Sequence, residues 1–221
     1  MGVVAEPGPA QHYFTADPTG PGRATEVTFS AAGREFRLVA AGGVFSAQRL
    51  DPGTAVLLRK GELPGPATDG ALLDLGCGYG AIACVLASVA PRAAVYAVDV
   101  NSRAVQLATA NAAALGVDVR ASEPDAVPAE LQFAQIWSNP PIRVGKEELH
   151  SLLMRWLPRL APDGEGWLVV ARHLGADSLS DWLAEQGFEV RRHASQQGFR
   201  VLRVTHGRNS SDERAAGPQN L

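Results

Sequence analysis

From Ala71 onward the chain alternates short apolar runs with helical ones, and a glycine-rich junction sits where the first run meets the first helix. ALLDLG (71–76) reads as an apolar strand and AIACVLASVA (81–90) as a buried helix, with Cys77-Gly78-Tyr79-Gly80 between them. AAVYAVDV (93–100), VDVRA (117–121), FAQIWS (133–138) and GWLVVA (166–171) are the next strands, with helices predicted over 102–115, 147–160 and 178–186. Leu149, Leu152, Leu153, Trp156, Leu157 and Leu160 fall on one apolar stripe at helical spacing. Strands separated by helices pair in parallel through crossovers, so the fold class is α/β, with helices covering both faces of the sheet. FEVRRHA (188–194) and FRVLRVT (199–205), joined by a Gln-Gln-Gly turn, add an antiparallel pair at the end.

The segment before this unit is different. Residues 1–24 carry four prolines and four glycines and predict an irregular arm. Val27 and Phe29 alternate on one strand and Phe36 and Leu38 on the next, with Ala32-Gly33 near the turn of a hairpin. Asp51-Pro52 opens a short helix through Leu58, with Asp as its cap and Pro at the first helical position. GELPGPATDG (61–70) is a turn-rich linker. The expected division is therefore 1–66 as arm, hairpin and a helix that lids the site, 67–205 as the main domain, and 206–221 as a polar, mobile tail.

Composition excludes several classes. Cys77 and Cys84 are the only cysteines and form no Cys-x-x-Cys pair, which removes disulfide frameworks and zinc ribbons and suits a reducing cytoplasm. The five histidines have no metal-ligand spacing, so no metal is expected. The N-terminus lacks a signal-peptide pattern, and the longest uncharged run, Leu75 to Pro91, is too short and too broken by glycine for a membrane span. A net charge of −3 supplies no global field for a polyanion, so any nucleic-acid contact must use a local patch.

The glycine loop lies at the carboxyl end of a strand, where open α/β sheets bind ligands. Its glycines let a ligand approach the backbone, and Asp99, 21 residues after Gly78, ends the next strand where it can hold a ribose diol. Gly76, Gly78 and Ala81 fit a dinucleotide fingerprint, whereas Asp74 just before the loop would repel a pyrophosphate and suits a cofactor bearing a cation. A tight turn with no ligand is the third reading.

Asn139-Pro140-Pro141-Ile142 follows the strand FAQIWS. Two prolines can neither extend a strand nor start a buried helix, so this is a rigid loop at the sheet's carboxyl edge, facing the same crevice as the glycine loop. The set DLGCGYG (74–80), VDVN (98–101) and SNPPI (138–142) resembles a class I S-adenosylmethionine-dependent methyltransferase. HYFTADP (12–18), GVFSAQRLDPGTAVLL (43–58) and GFRVLRV (198–204) narrow the resemblance to the small-domain group that includes ribosomal RNA guanine-N2 methyltransferases.

That resemblance implies a Rossmann-like seven-stranded sheet, mostly parallel with an antiparallel last strand, and methyl transfer from S-adenosylmethionine to guanine N2 of ribosomal RNA. It implies that the Asn139 side-chain oxygen and the Pro140 carbonyl accept the two hydrogens of the target amine. Gly76 and Gly78 then lie against the methionine moiety beside Asp74, Asp99 holds the ribose, and Thr54 closes the methionine end. Glu123 stands where an acidic side chain meets the adenine amine, with Asp125 as the alternative. Family members that methylate planar amines often carry an aromatic residue after the prolines; Ile142, beside Pro141, offers only apolar contact. A branch of the group uses NPPI followed by a basic segment, which Arg143 and Lys146 match; they either hold a phosphate or are solvated loop charges. The well-known guanine-N2 enzymes also carry a second, degenerate half that this sequence lacks.

A nucleic-acid face is not conspicuous. Residues 188–204 hold Arg191, Arg192, Arg200 and Arg203 against Glu189, a net of +3, which is either an RNA contact or a sheet edge protected by charge. Three other functions compete with ribosomal RNA as the substrate: a protein glutamine N5 methyltransferase, which usually has Tyr at the position of Ile142, a small-molecule N-methyltransferase, and a cofactor-binding module without catalysis. Trp137 and Trp156 are assigned to the core, and Cys77 receives no nucleophilic role.

Overall fold

A computed structural model describes residues 24–42, 44 and 49–207, apart from the side chain of Arg143. The arm up to residue 23 with its HYFTADP segment, residues 43 and 45–48, and the tail after 207 lie outside the described residues.

The main sheet contains β3 (Ala71–Leu75), β4 (Ala94–Val98), β5 (Val119–Ser122), β6 (Phe133–Ser138), β7 (Leu160–Ala171), β8 (Phe188–Gln196) and β9 (Phe199–His206). Its order is β5-β4-β3-β6-β7-β9-β8. All neighbours pair in parallel except β9, which is antiparallel to both β7 and β8. This is the expected Rossmann-like sheet of seven strands with an antiparallel last strand. The order reverses at β3, so the loops after β3 and β6, which neighbour each other, open onto one crevice.

Helices α2 (Ala81–Val89) and α3 (Ser102–Leu115) follow β3 and β4, while α4 (Lys146–Trp156) and α5 (Ala176–Glu185) follow β6 and β7. Each of the first two has an identifiable start or stop. Gly80, with φ of +85°, turns the chain into α2, and the side chain of Asn101 caps α3 by accepting from the Arg103 N–H at 3.0 Å. A Cβ on Gly80 would sit 2.9 Å from the Cβ of Ala108, so glycine is needed there for space as well as for φ.

The apolar stripe predicts a helix reaching Leu160, but the α-helix stops at Trp156 and a single 3-10 turn, Leu157–Arg159, completes it. Pro158 is the reason: it has no N–H to donate and its ring crowds the carbonyl four residues back. Leu160 keeps its place in the core as the first residue of β7 rather than as the last of a helix. That strand begins six residues before the expected Gly166 and bulges between the pairs Phe133–Leu160 and Gln135–Glu165.

The N-terminal elements are β1 (Ala24–Ala31), β2 (Arg34–Ala41) and α1 (Pro52–Lys60). Ala32 and Gly33 both have positive φ, 49° and 72°, as a two-residue hairpin turn requires. Hairpin and helix have no core of their own. Phe36, Val56 and Leu57 pack with Leu72, Val85, Trp137 and Trp167 of the main sheet and α2. Val27, Leu38 and Ala40 pack with Tyr79, Cys84 and Ala104, so the hairpin covers the glycine loop and the start of α3. Trp137 and Trp156 are fully buried, as their core assignment requires.

Asn111 of α3 ties these parts together. Buried at 3% exposure, it accepts from the Val39 N–H at 2.8 Å and donates to the carbonyls of Val39 at 2.9 Å and Tyr79 at 2.8 Å. Asn111→Ala would orphan three backbone groups at once and is expected to cost about 1–3 kcal/mol of stability. A urea-melt midpoint indistinguishable from wild type would show that water replaces the amide there.

Candidate active site

Asp74, the fourth residue of β3, is fully buried. Its Oδ2 accepts from the Ala83 N–H at 2.9 Å, so the start of α2 is already capped by the protein's own carboxylate. Its Oδ1 is buried without a partner among the described residues. Burial, with the nearby Asp99 adding repulsion, raises the Asp74 carboxyl to about 7 despite the bond from Ala83.

The loop's own donors are turned inward. The N–H groups of Gly76 and Cys77 both reach the Val98 carbonyl, at 2.8 and 3.0 Å, and the Gly80 N–H bonds the Cys77 carbonyl at 2.8 Å. The Gly78 N–H donates to Asp99 Oδ2 at 2.9 Å. A pyrophosphate cradle needs such donors free, and the helix start behind it holds a carboxylate. The loop therefore fits a cation better than a phosphate, which disfavours the dinucleotide reading. A Cβ built on Gly76 would meet nothing within 4 Å, so the backbone is open to a ligand on that side.

Asp99, just past β4, is held by two N–H donors, Gly78 on Oδ2 and Asn101 on Oδ1, each at 2.9 Å. Burial raises its carboxyl above the ordinary range, and these backbone bonds oppose the shift. The Val100 N–H also acts on the carboxylate, which keeps acceptor capacity for a further donor. Val100 beside it is 43% exposed, an apolar surface at the same edge.

Asn139 follows β6. Its Nδ2 donates to Asp51 Oδ1 at 2.6 Å and to Thr54 Oγ1 at 3.0 Å. Both amide hydrogens are therefore used, which fixes the flip of the group and leaves Oδ1 as the free end among the described residues. Asp51 also accepts from the Thr54 N–H at 3.0 Å, so one carboxylate both caps α1 and anchors the amide. Pro140 accepts from the Ile142 N–H at 2.8 Å, leaving its carbonyl a second lone pair.

Asp51, Thr54, Gly76, Gly78, Tyr79 and Asn139 line one cavity. Of the residues proposed from sequence, Thr54, Gly76, Gly78 and Asn139 thus meet there; Asp99 is hydrogen-bonded to Gly78 in its wall, and Asp74 lies behind it, bonded to Ala83 of α2. The remaining ones stand further out. Glu123 is exposed beyond β5, and Asp125 is ion-paired to Arg155 at 2.7 Å. Ile142 is half-buried against the main core, Lys146 is the exposed first residue of α4, and the Arg143 side chain lies outside the described residues.

Two residues of the site carry no functional signal of their own in the sequence. In sequence Asp51 is only a helix cap, and its second bond spans 88 positions. Tyr79 lines the cavity with its hydroxyl buried and unpartnered among the described residues, and burial raises its pKa so that it stays a donor. The glycine loop itself was the available signal for Tyr79. Burial also pushes the Cys77 thiol well up, in keeping with its having no nucleophilic role.

Among known proteins, residues 35–203 match the family model "Methyltransferase small domain". An uncharacterised protein of Bacillus subtilis, YbxB, is 32% identical over 199 residues, covering 88% of this chain and 98% of its own. Ribosomal RNA small subunit methyltransferase C of Pseudomonas putida is 35% identical over 179 residues, covering 78% of this chain but only 52% of its own. The T. thermophilus 16S rRNA N2 methyltransferase RsmC, solved with AdoMet and guanosine, superposes with a TM-score of 0.67 at 26% identity, over 86% of this chain and 51% of its own. This chain thus spans about half the length of the methyltransferase C relatives and nearly all of the Bacillus protein. The ribosomal protein L11 methylase of Lactobacillus delbrueckii shares the fold, with a TM-score of 0.55 at 20% identity over 75% of this chain and 89% of its own. On the match across 35–203, which takes in the glycine loop, Asp99 and Asn139, the chain belongs to the methyltransferase small domain family.

Proposed function

We propose that this methyltransferase acts in the cytoplasm on ribosomal RNA and places the methyl group on guanine N2. The observation that carries the reading is Asn139: both its amide hydrogens are held by Asp51 and Thr54, so its oxygen is the end offered to a substrate. An oxygen fixed in that way accepts a hydrogen from an amine. The likeness to an N2 methyltransferase solved with guanosine supports guanine as the base.

S-adenosylmethionine supplies a methyl on a sulfonium, already activated for in-line displacement. The residues present fit it. Asp74 Oδ1 is an unpaired acceptor suited to the cationic methionine end, Tyr79 offers a hydroxyl donor for the carboxylate, and Gly76 is open to close approach. Asp99 keeps acceptor capacity for a ribose hydroxyl. Glu123 is the better candidate for the adenine amine, because Asp125 is committed to Arg155.

An exocyclic amine on a purine is a poor nucleophile, since its lone pair is delocalised into the ring. Accepting its two hydrogens on Asn139 Oδ1 and the free lone pair of Pro140 favours a lone pair directed at the methyl carbon, so catalysis is chiefly positioning. Ile142, packed on the core, stiffens the loop and leaves base stacking to other residues. Pro141 fixes the turn, and Arg143 and Lys146 stand after it where a phosphate of the substrate can pass.

The raised carboxyl of Asp74 gives the reading a pH signature. Near pH about 7 the group is half protonated in the free protein, and a cation beside it favours the carboxylate. Cofactor binding should therefore release a proton, and affinity should rise with pH up to about 7 and then level off. Calorimetry in buffers of different ionisation enthalpy measures that proton. A proton count of zero on both sides of neutrality would separate Asp74 from the cationic end.

The deciding experiment is tritium transfer from labelled S-adenosylmethionine to ribosomal subunits, naked ribosomal RNA and a protein extract. All three come from cells lacking this gene. N2-methylguanosine in digested RNA is the expected product, and label confined to protein or absent from every pool would overturn the assignment.

A further inference from the structure

The turn between β8 and β9 and Arg172, the residue after β7, line a cleft of about 420 Å³, and the Arg172 N–H donates to the Gly198 carbonyl of that turn at 2.8 Å. Arg172 and Arg192 flank it, Ser195 and Gln197 add polar groups, and Phe199 forms part of its wall. The charges on the terminal strands are not equivalent. Arg191 pairs with Glu189, Arg203 with Glu165, and Arg200, also in the cleft, with Asp177. Arg172 and Arg192 are exposed and have neither an ion pair nor a hydrogen bond from their guanidinium groups among the described residues. Arg59 of α1 adds a third cation at the margin, its Nε donating to Gln196 at 2.9 Å. Of the acidic groups around the cleft, Asp177 is held by Arg200, Glu62 faces His193 at 3.8 Å, and Asp51, beyond Phe199 across Gly53, accepts from Asn139 and Thr54.

The cleft adjoins the site. Gly53, two residues past Asp51, packs so closely on Phe199 that a Cβ there would lie 3.0 Å from its ring. Ser138 is level with Leu168 on the neighbouring strand. At ~3.3 Å per residue and ~4.8 Å between strands, Arg172 starts roughly 11 Å from Asn139, at the same carboxyl edge. The bulge at His193, between the pairs Arg192–Leu202 and Ala194–Val201, shifts the strand's alternation next to Arg192.

We propose that this cleft holds the phosphodiester backbone of the RNA beside the target nucleotide, with Arg172 and Arg192 each neutralising a phosphate. It supplies the local patch that the net charge of −3 requires. The proposal rests on the ribosomal RNA reading for the identity of the polyanion.

The test is R172Q/R192Q, both at exposed positions, with R191Q as the ion-paired control. Anisotropy of a short fluorescein-labelled single-stranded RNA reads affinity across a salt series, and calorimetry of S-adenosylmethionine binding checks that the fold and cofactor site persist. The double variant should bind RNA ~10-fold or more weakly, with the salt slope reduced by about 1.4, at ~0.7 per phosphate for a single strand. R191Q should match wild type. Equal affinity and slope in wild type and double variant overturns the cleft, even where tritium still enters RNA and the guanine reading stands. Lost RNA binding in the double variant with no tritium in any RNA overturns the guanine reading and keeps the cleft. A wild-type protein with no affinity for the RNA overturns the cleft as well.

Discussion

Asn139→Ala is expected to lower kcat by ~10²–10³ while leaving the dissociation constant of S-adenosylmethionine within a few-fold of wild type. The first figure is the scale of losing one preorganised polar group in the transition state. The group is preorganised because Asp51 and Thr54 hold both amide hydrogens, at 2.6 and 3.0 Å, before any substrate arrives. Nothing in that arrangement touches Asp99, so ribose binding should persist. Thr54→Val keeps the volume but removes one of the two acceptors, and Asp51 still holds the amide. It should lower kcat by a smaller factor than Asn139→Ala. Single-turnover methyl transfer at saturating RNA separates chemistry from binding. An Asn139→Ala protein with undiminished turnover would remove the amide from the mechanism.

What the sequence revealed of this site depended on how far apart the interacting residues are in the chain. Asp74, the glycine loop and the helix after it interact within nine positions, and that local grammar was legible as a strand, a turn and a buried helix. The Asn-Pro-Pro loop was legible because two prolines restrict the backbone wherever they occur. The anchoring of Asn139 by α1 was not, because it joins residues 88 apart and shows only when the fold brings them together. Asn111 is a similar case. In sequence it is a polar residue in an alanine-rich helix; in the fold it stitches the hairpin and the glycine loop onto α3. The apolar period overstates the helix after Asn-Pro-Pro because Leu157 and Leu160 keep it beyond Trp156, where both stay in the core but neither continues the α-helix. Charge behaved similarly: +3 on the terminal strands was visible, but which arginines are already paired was not.

Asp99→Ala should weaken S-adenosylmethionine binding by about 1.5–3 kcal/mol, the range for charge-assisted hydrogen bonds. That is roughly a 10- to 150-fold rise in the dissociation constant, at 1.4 kcal/mol per factor of ten. Two losses add in this variant. The carboxylate no longer accepts from the ribose, and the Gly78 and Asn101 N–H groups lose the acceptor that holds each at 2.9 Å. Asp99→Asn separates these. An amide keeps one acceptor oxygen but cannot serve both N–H donors and a diol, so its affinity should fall between those of wild type and Asp99→Ala. The ordering also bears on Asp74, whose carboxyl is raised partly by the Asp99 charge. Removing that charge should bring the Asp74 titration down, so proton release on cofactor binding should move to lower pH in both variants. Titration calorimetry across pH reads affinity and proton count together. Unchanged affinity in Asp99→Ala would mean that the ribose is held elsewhere. Weakened affinity with an unmoved proton count would mean that the two carboxylates act independently.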